Sequence, residues 1–497
     1  MQGVCSMYRQ AKYDEPLIFE LGHEGRTGLA LPEFDIEDNL VPEGLMRKES
    51  PKIPSLTEVE VVRHYTRLSQ MNFGVDLGLY PLGSCTMKYN PKFSEELAAL
   101  AEATEIHPFQ DESTVQGALR IMYELQHMLC KIGGMDAVTL QPAAGAHGEF
   151  TGLLIAKAYH ELNGEERTEV VLPDTAHGTN PASAALAGFS VVEIPSKEGT
   201  VDLDALKSAV NEKTAAFMLT NPNTLGIFES EVLEIAKIVH DAGALLYYDG
   251  ANFNAILGKT TPGDMNFDIM HFNLHKTFAT PHGGGGAGAG PVGVKAHLAG
   301  FLPVPVVGLE DGVYYLDYDI PHTIGKVKSF FGNFSVLLKA YAYIKLMGGN
   351  GLTEASEIAV LNANYMRHKL TKKFEMPYRQ LRKHEFVLSG SKLKERGLKT
   401  MDAAKFLLDH GIHAPTVYFP HIVDEAIMTE PTETEPKEVL DEYIRILNET
   451  LDLPPERIKS APMHTAISRV DEVTAARKPI LSYKMIKDEI RVPSQKV

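Results

Sequence analysis

At 497 residues, with 44% hydrophobic and 23% charged side chains, the chain is long enough for two or more domains with ample core. Its formal net charge of -17 argues against nonspecific binding to nucleic acid or anionic membrane, and no uninterrupted apolar run is long enough to span a bilayer. Three scattered cysteines, Cys5, Cys85 and Cys130, give neither a disulfide framework nor zinc spacing, and residues 1 to 14 lack the layout of a signal peptide, so a cytoplasmic location is expected.

Residues 1 to about 54 are rich in Pro, Glu and Gly and read as an extended arm with short helices. Ser55 to Leu68 predicts a helix, with Ser55 as cap and Val59, Val62 and Tyr65 recurring at helical spacing. Tyr80 to Pro91 packs small polar groups, a thiol and an amine between turn formers. A structural loop and a substrate-facing loop are equally good readings of it.

From about Val115 the pattern changes. An amphipathic helix over Gly117 to Ile132 precedes a strand at Ala137 to Leu140. Gly145-Ala146-His147-Gly148 then forms a turn before a helix from Glu149 to Leu162. Small residues there expose backbone N–H groups at a helix start, which is an anion site by geometry and dipole. Strands follow at Val170 to Pro173, Ser190 to Ile194, Ala215 to Thr220, Ala244 to Tyr248 and Phe267 to Phe272. Helices are expected between them at 182–187, 202–210 and 231–242. Continuous apolar strands separated by helices predict a parallel sheet covered on both faces. Ligands of such sheets lie beyond the carboxyl ends of the strands. His177, Asn221, Asp249 and Lys276 each fall just after a predicted strand and so are expected to converge on one crevice.

Lys276 is the centre of that expectation. A lysine at a strand end can be buried enough to lose its proton and attack an aldehyde. The run Gly283 to Gly286 that follows it removes side chains where something bulky must approach the backbone. A lysine, a carboxylate and a phosphate cup suit pyridoxal phosphate, whose ring nitrogen needs an acidic partner. Asp249 is the candidate for that nitrogen and His177 for stacking on the ring. Asn221 or Asn223 is the candidate for the phenolic oxygen. Taken singly, each has a bland reading: Asp249-Gly250 as an ordinary turn, His177 as a helix-start neighbour.

Beyond Gly290, a helix over Phe330 to Leu346 ends at Gly348-Gly349. Helices are expected again at 353–374, 403–410 and 436–451. The predicted organisation is an arm and active-site loop over 1–115, a large domain over 116–348 and a smaller α/β domain over 349–497.

Four stretches carry a resemblance: Lys276 with its glycine run, the loop Pro81 to Asn90, Gln141 to Glu149, and Ala176 to Ser183. Together they resemble the glycine decarboxylase P-protein family, most closely the second subunit of its two-subunit form. The likeness covers nearly the whole chain. It implies a fold-type-I, aspartate-aminotransferase-like enzyme with a large parallel-sheet domain and a smaller C-terminal α/β domain. It implies pyridoxal phosphate held by Lys276, Asp249, His177, Gly145, Ala146, Asn221, Asn223, Ala251 and His275, with Lys276 and His177 catalytic and no metal. The implied reaction releases carbon dioxide from glycine and passes the aminomethyl group to the lipoyl arm of H-protein. A sister subunit is the implied partner, in a heterotetramer. Arg469 and the loop at Ser84 and Thr86 are candidates for the glycine carboxylate. Cys85 is a candidate for thiol exchange with the lipoyl disulfide, against a buried inert thiol. The rival is an aminotransferase or cysteine-desulfurase-like enzyme of the same fold. Aspartate-type aminotransferases carry a phosphate-binding arginine soon after the lysine, and none occurs between Lys276 and Gly290. A noncatalytic partner subunit is a third reading, opposed by Lys276 itself.

Overall fold

The computed structural model describes residues 8–30, 32–33, 41–49, 51, 53–283 and 288–489. Gly284, Gly285 and Gly286 of the glycine run, and Cys5, lie outside the described residues. The chain forms two compact units. One comprises the described residues up to Phe73, Leu408–Gly411 and those from Lys459 on; the other comprises Gly74–Leu407 and Ile412–Ile458. The expected boundaries at 115 and 348 both fall inside the second unit.

That unit is built on a seven-stranded sheet. Its strands are β1 (Ala137–Thr139), β2 (Glu169–Pro173), β3 (Ser190–Ile194), β4 (Thr214–Thr220), β5 (Leu245–Gly250), β6 (Ile269–Phe272) and β7 (Val292–Val294), in the order β1-β7-β6-β5-β4-β2-β3. Neighbours among β2 to β6 are parallel, whereas β7 runs antiparallel to both β1 and β6. Every residue of β4, β5 and β6 is buried, which is why they read as unbroken apolar runs. The two-residue period survives inside those runs. Phe217, Leu219, Leu246, Tyr248, Met270 and Phe272 join one core, and Ala216, Met218, Leu245, Tyr247 and Ile269 join the other.

Helices α1 (Gln116–Gly133), α2 (Gly145–Leu162), α3 (Thr179–Leu186) and α4 (Val232–Asp241) cover the sheet. α2 begins four residues before the expected start at Glu149, because its glycine- and alanine-rich first turn is already helical. A short helix, α5 (Leu274–Thr277), follows β6 and carries Lys276, where the sequence suggested a loop. The hairpin β8 (Val306–Glu310) and β9 (Val313–Asp317) was not anticipated. The helices expected at 330–346 and 353–374 form one run, α6 (Phe334–Leu370). It breaks where anticipated, at Gly348, whose φ of 59° and ψ of -176° suit glycine alone. A small antiparallel sheet of β10 (Phe386–Ser389), β12 (Ala426–Thr429) and β11 (Thr416–Val417), in that order, completes the unit with helix α7 (Lys437–Asp452).

In the first unit, the predicted N-terminal helix spans Glu58–Gln70. Thr57, not Ser55, caps it through a reciprocal pair with Glu60. Its expected apolar face is not its buried face. Val59, Val62 and Tyr65 are exposed, and the helix instead buries His64, whose Nδ1 lies 2.6 Å from Glu15 Oε1, with Arg67 on the same carboxylate.

Candidate active site

A cavity of about 540 Å³ opens beyond the carboxyl ends of the central strands. Sheet register explains its chemistry. Thr220, Asp249 and His271 are successive Cα partners across β4, β5 and β6, so three polar side chains line up at the strand ends. Of the residues expected to converge, Gly145, Ala146, His177, Asp249, Ala251, His275 and Lys276 all line this cavity.

Asp249 is fully buried and is the best-satisfied group in the site. Its Oδ2 lies 2.7 Å from His177 Nδ1 and accepts from Thr220 Oγ1 at 3.0 Å and Asn180 Nδ2 at 3.1 Å. Its Oδ1 accepts from the Ala251 N–H at 2.9 Å and lies 3.3 Å from His271 Nε2. Burial alone would push this carboxyl up. The His177 ring, then His271 and Lys276, hold it well below the usual carboxylate range. Behind it, burial pushes His271 down to about 4, against the opposing pull of Asp249.

Lys276 is half-buried, and its Nζ donates to the Ser84 carbonyl at 2.8 Å. Ser84 is in the left-handed region, at φ 63°, and is engaged at every polar atom. Its N–H donates to Glu385 Oε2 at 2.7 Å and its hydroxyl lies 2.9 Å from His177 Nε2. Thr86, also left-handed at φ 47°, donates its N–H and hydroxyl to Glu430 at 3.0 and 2.6 Å. The Tyr80 to Pro91 loop therefore is the wall of the cavity beside the lysine. Glu385 and Glu430, both fully buried, hold it there. Burial and their mutual repulsion push the Glu385 carboxyl well up, and burial pushes Glu430 up to about 7.

One expectation needs correction. Asn221 and Asn223 do not reach the cavity. Asn221 Oδ1 accepts from the Glu229 N–H at 3.0 Å. Asn223 Nδ2 donates to the Gly199 carbonyl at 2.7 Å, while its Oδ1 accepts from the Leu225 and Ile227 N–H groups. Both amides hold the 221–229 turn together instead of facing a ligand. His275 lines the cavity. Its ring meets His282 edge-on at 4.8 Å and backs onto Gly288, and the Ser84 carbonyl takes the Lys276 amine. Burial, then His282 and Lys276, push His275 down to about 2. Arg469 belongs to the first unit, where it donates to the Ala461 carbonyl at 2.8 Å. The Cys85 thiol lines the cavity, and burial pushes it up, which opposes thiolate chemistry.

Glu149 was missed as a site residue. It is buried on the first turns of α2, lines the cavity, and accepts from Thr179 Oγ1 at 2.9 Å and Ser183 Oγ at 3.0 Å. Burial, then the Asp249 charge, push it up to about 7. Its signal was an acid set among glycines and alanines in the stretch Gln141 to Glu149. For His271 the signal was a lone imidazole inside an apolar strand.

The residues present suit pyridoxal phosphate. Gly145 has no room for a methyl, since a Cβ would lie 2.2 Å from Asn273 Oδ1. The first N–H groups of the 18-residue helix α2 open on the cavity there, as a phosphate requires. An ionised carboxylate lines the same cavity as a primary amine. The lining His275 keeps its buried Nδ1 without a partner in the protein. Fold and site together define a pyridoxal-phosphate-dependent enzyme of fold type I.

A family model described as "Aminotransferase class-V" matches residues 150–303, and one described as "Glycine dehydrogenase, C-terminal domain" matches residues 355–460. A relative from Pyrococcus abyssi named "Probable glycine dehydrogenase (decarboxylating) subunit 2" is 62% identical over 496 residues, covering 97% of this chain and 98% of the relative. The chain belongs to that subunit 2 family. Its counterpart in Caldanaerobacter subterraneus subsp. tengcongensis is 57% identical over 477 residues, covering 94% and 98%. The fold also matches a crystal structure of glycine decarboxylase (P-protein) in inhibitor-bound form. That match has a TM-score of 0.68 and 20% identity, and covers 84% of this chain and 93% of the other. Among the described residues no helix is long and apolar enough to cross a membrane.

Proposed function

We propose that this chain is the pyridoxal-phosphate-bearing subunit of a glycine decarboxylase, releasing carbon dioxide and passing the aminomethyl group to the lipoyl arm of H-protein. One observation carries the proposal: the Lys276 amine and the Asp249 carboxylate line one cavity at the carboxyl ends of a parallel sheet. The cofactor, when bound, supplies the electron sink for the pair left behind as the carboxylate departs.

The remaining work falls to the protein. Lys276 would hold the cofactor through its amine, which here donates to the Ser84 carbonyl. Asp249 would partner the ring nitrogen, its ionised form stabilised by His177, Thr220, Asn180 and the Ala251 N–H. His177, fixed at both nitrogens by Asp249 and Ser84, would stack on the ring. Gly145 and Ala146 would present backbone N–H groups to the phosphate. Among the described residues no arginine lines the cavity.

Subunit 2 has a partner subunit by its family. We place the two in a heterotetramer in the cytoplasm, with glycine and lipoylated H-protein as reactants. Borohydride reduction of the cofactor-loaded chain followed by peptide mapping tests the reading. A pyridoxyl group on Lys276, absent from Lys276→Ala, is expected, and a label on any other lysine refutes it. Glycine-dependent carbon dioxide release that requires lipoylated H-protein separates this activity from an aminotransferase or a cysteine desulfurase.

A further inference from the structure

Outside the lysine–aspartate pair, the second unit holds another cluster of buried chemistry. His384, Glu385 and Glu430 are each fully buried, and one ligand atom from each lies within 4.8 Å of the others. They converge at one end of the small sheet, where Phe386 and Thr429 are antiparallel partners. His384 and Glu385 immediately precede β10, and Glu430 immediately follows β12.

The two carboxylates divide their oxygens. Each Oε2 faces outward and accepts a backbone N–H of the cavity loop, from Ser84 at 2.7 Å and from Thr86 at 3.0 Å. Each Oε1 turns inward toward His384 Nε2, at 3.9 Å for Glu385 and 3.7 Å for Glu430. These separations are too long for hydrogen bonds. Both ring nitrogens of His384 are buried with no partner in the protein. An idle imidazole facing two carboxylate oxygens at that spacing is costly in a dry interior.

We propose that His384 Nε2, Glu385 Oε1 and Glu430 Oε1 bind a divalent transition-metal cation. One cation gives the imidazole nitrogen a partner and lets two buried carboxyls, which burial and mutual repulsion push toward the protonated form, sit side by side with their inner oxygens facing it. A proton shared between the carboxylates relieves only the repulsion and leaves Nε2 idle. With metal–ligand bonds of about 2.0–2.2 Å, ligand atoms of a tetrahedral site lie roughly 3.4 Å apart, so the two histidine–carboxylate separations of 3.9 and 3.7 Å need to close by only a few tenths of an ångström. One nitrogen and two carboxylate oxygens suit Zn²⁺, Co²⁺, Mn²⁺ or Fe²⁺.

The inner oxygens are already supported as metal ligands are. Thr86 Oγ1 donates to Glu430 Oε1 at 2.6 Å, and Asn252 Nδ2 donates to Glu385 Oε1 at 3.1 Å. The cation's role is structural. It locks both carboxylates, and through their outer oxygens it fixes the left-handed Ser84 and Thr86 beside Lys276.

The test uses the full chain, stripped with a chelator and titrated with Co²⁺ while its visible d–d absorption is followed, with Zn²⁺ then added to displace it. One-to-one uptake is expected, and His384→Ala and Glu430→Gln each weaken it by about 100-fold or more. His384→Gln, which keeps the site's volume, serves as the second variant if alanine unfolds the chain. Glu149→Gln, in the separate Glu149–Asp249–His271 cluster, leaves the titration unchanged. Absence of a d–d band, or a titration that survives intact in His384→Gln, overturns the proposal. So does loss of uptake in Glu149→Gln alone, which would place the cation beside Asp249.

Discussion

Replacing Glu149 by glutamine changes the charge of one buried group and little else. Both carboxylate oxygens accept from hydroxyls, Thr179 and Ser183, which can turn to accept from an amide instead. The folded chain holds this carboxyl up at about 7, against an ordinary value of 4.5. Folding therefore favours the protonated form. The stability that this form contributes is complete below pH 4.5 and is lost as pH rises through about 7. At pH 8 the loss amounts to about 3 kcal/mol, from the shift at 1.36 kcal/mol per unit. Glutamine cannot ionise, so Glu149→Gln should match the parent chain near pH 4 and exceed it by about 3 kcal/mol at pH 8. Urea denaturation of the cofactor-free chain, repeated at half-unit intervals across that range, reads the difference directly. Other titrating groups are common to both proteins and cancel. Two parallel stability curves would refute the reasoning, showing that Glu149 is ionised in the fold at little cost.

Gly145→Ala should leave the fold intact but weaken pyridoxal phosphate binding by about tenfold or more, since the new methyl meets Asn273 Oδ1 at 2.2 Å; cofactor titration by absorbance measures this. Asp249→Asn removes the charge opposite the ring nitrogen and turns an amide N–H₂ toward donors, so turnover should fall on the order of 100-fold, with stability lower by roughly 1–3 kcal/mol. Steady-state carbon dioxide release and urea titration check the two effects separately. Gly348→Ala forces a side chain onto φ 59°, ψ -176° and should cost roughly 1–3 kcal/mol in urea denaturation, with no change in cofactor affinity.

The α/β alternation was legible because each central strand is buried on both faces and so appears as an apolar run. The site was legible to the same depth, since Asp249 and Lys276 follow β5 and β6 and ligand sites of such sheets lie at strand ends. What failed depends on contacts distant in sequence. Asn221 stands after β4, as expected of a ligand group, but whether its amide turns inward or binds Glu229 is decided by the 221–229 turn. Glu385 and Glu430 belong to the site only because the small sheet carries them onto the Ser84–Thr86 loop, a pairing no local pattern encodes. The hairpin β8–β9 was readable, because Asp311-Gly312 between alternating apolar residues is a turn signal. The three-residue β7, Val292–Val294, offered too little length for any periodicity to register.

That short return strand has a consequence for biogenesis. β1 pairs with nothing in the large sheet except β7, and helix α2 is braced where Gly148 abuts the Gly290 carbonyl. A chain growing past Lys276 lacks the strand that covers the β6 edge, which is apolar but for His271. Such an edge invites aggregation until it is covered. The sheet is complete only once β7, three residues that line no part of the cavity, has joined it.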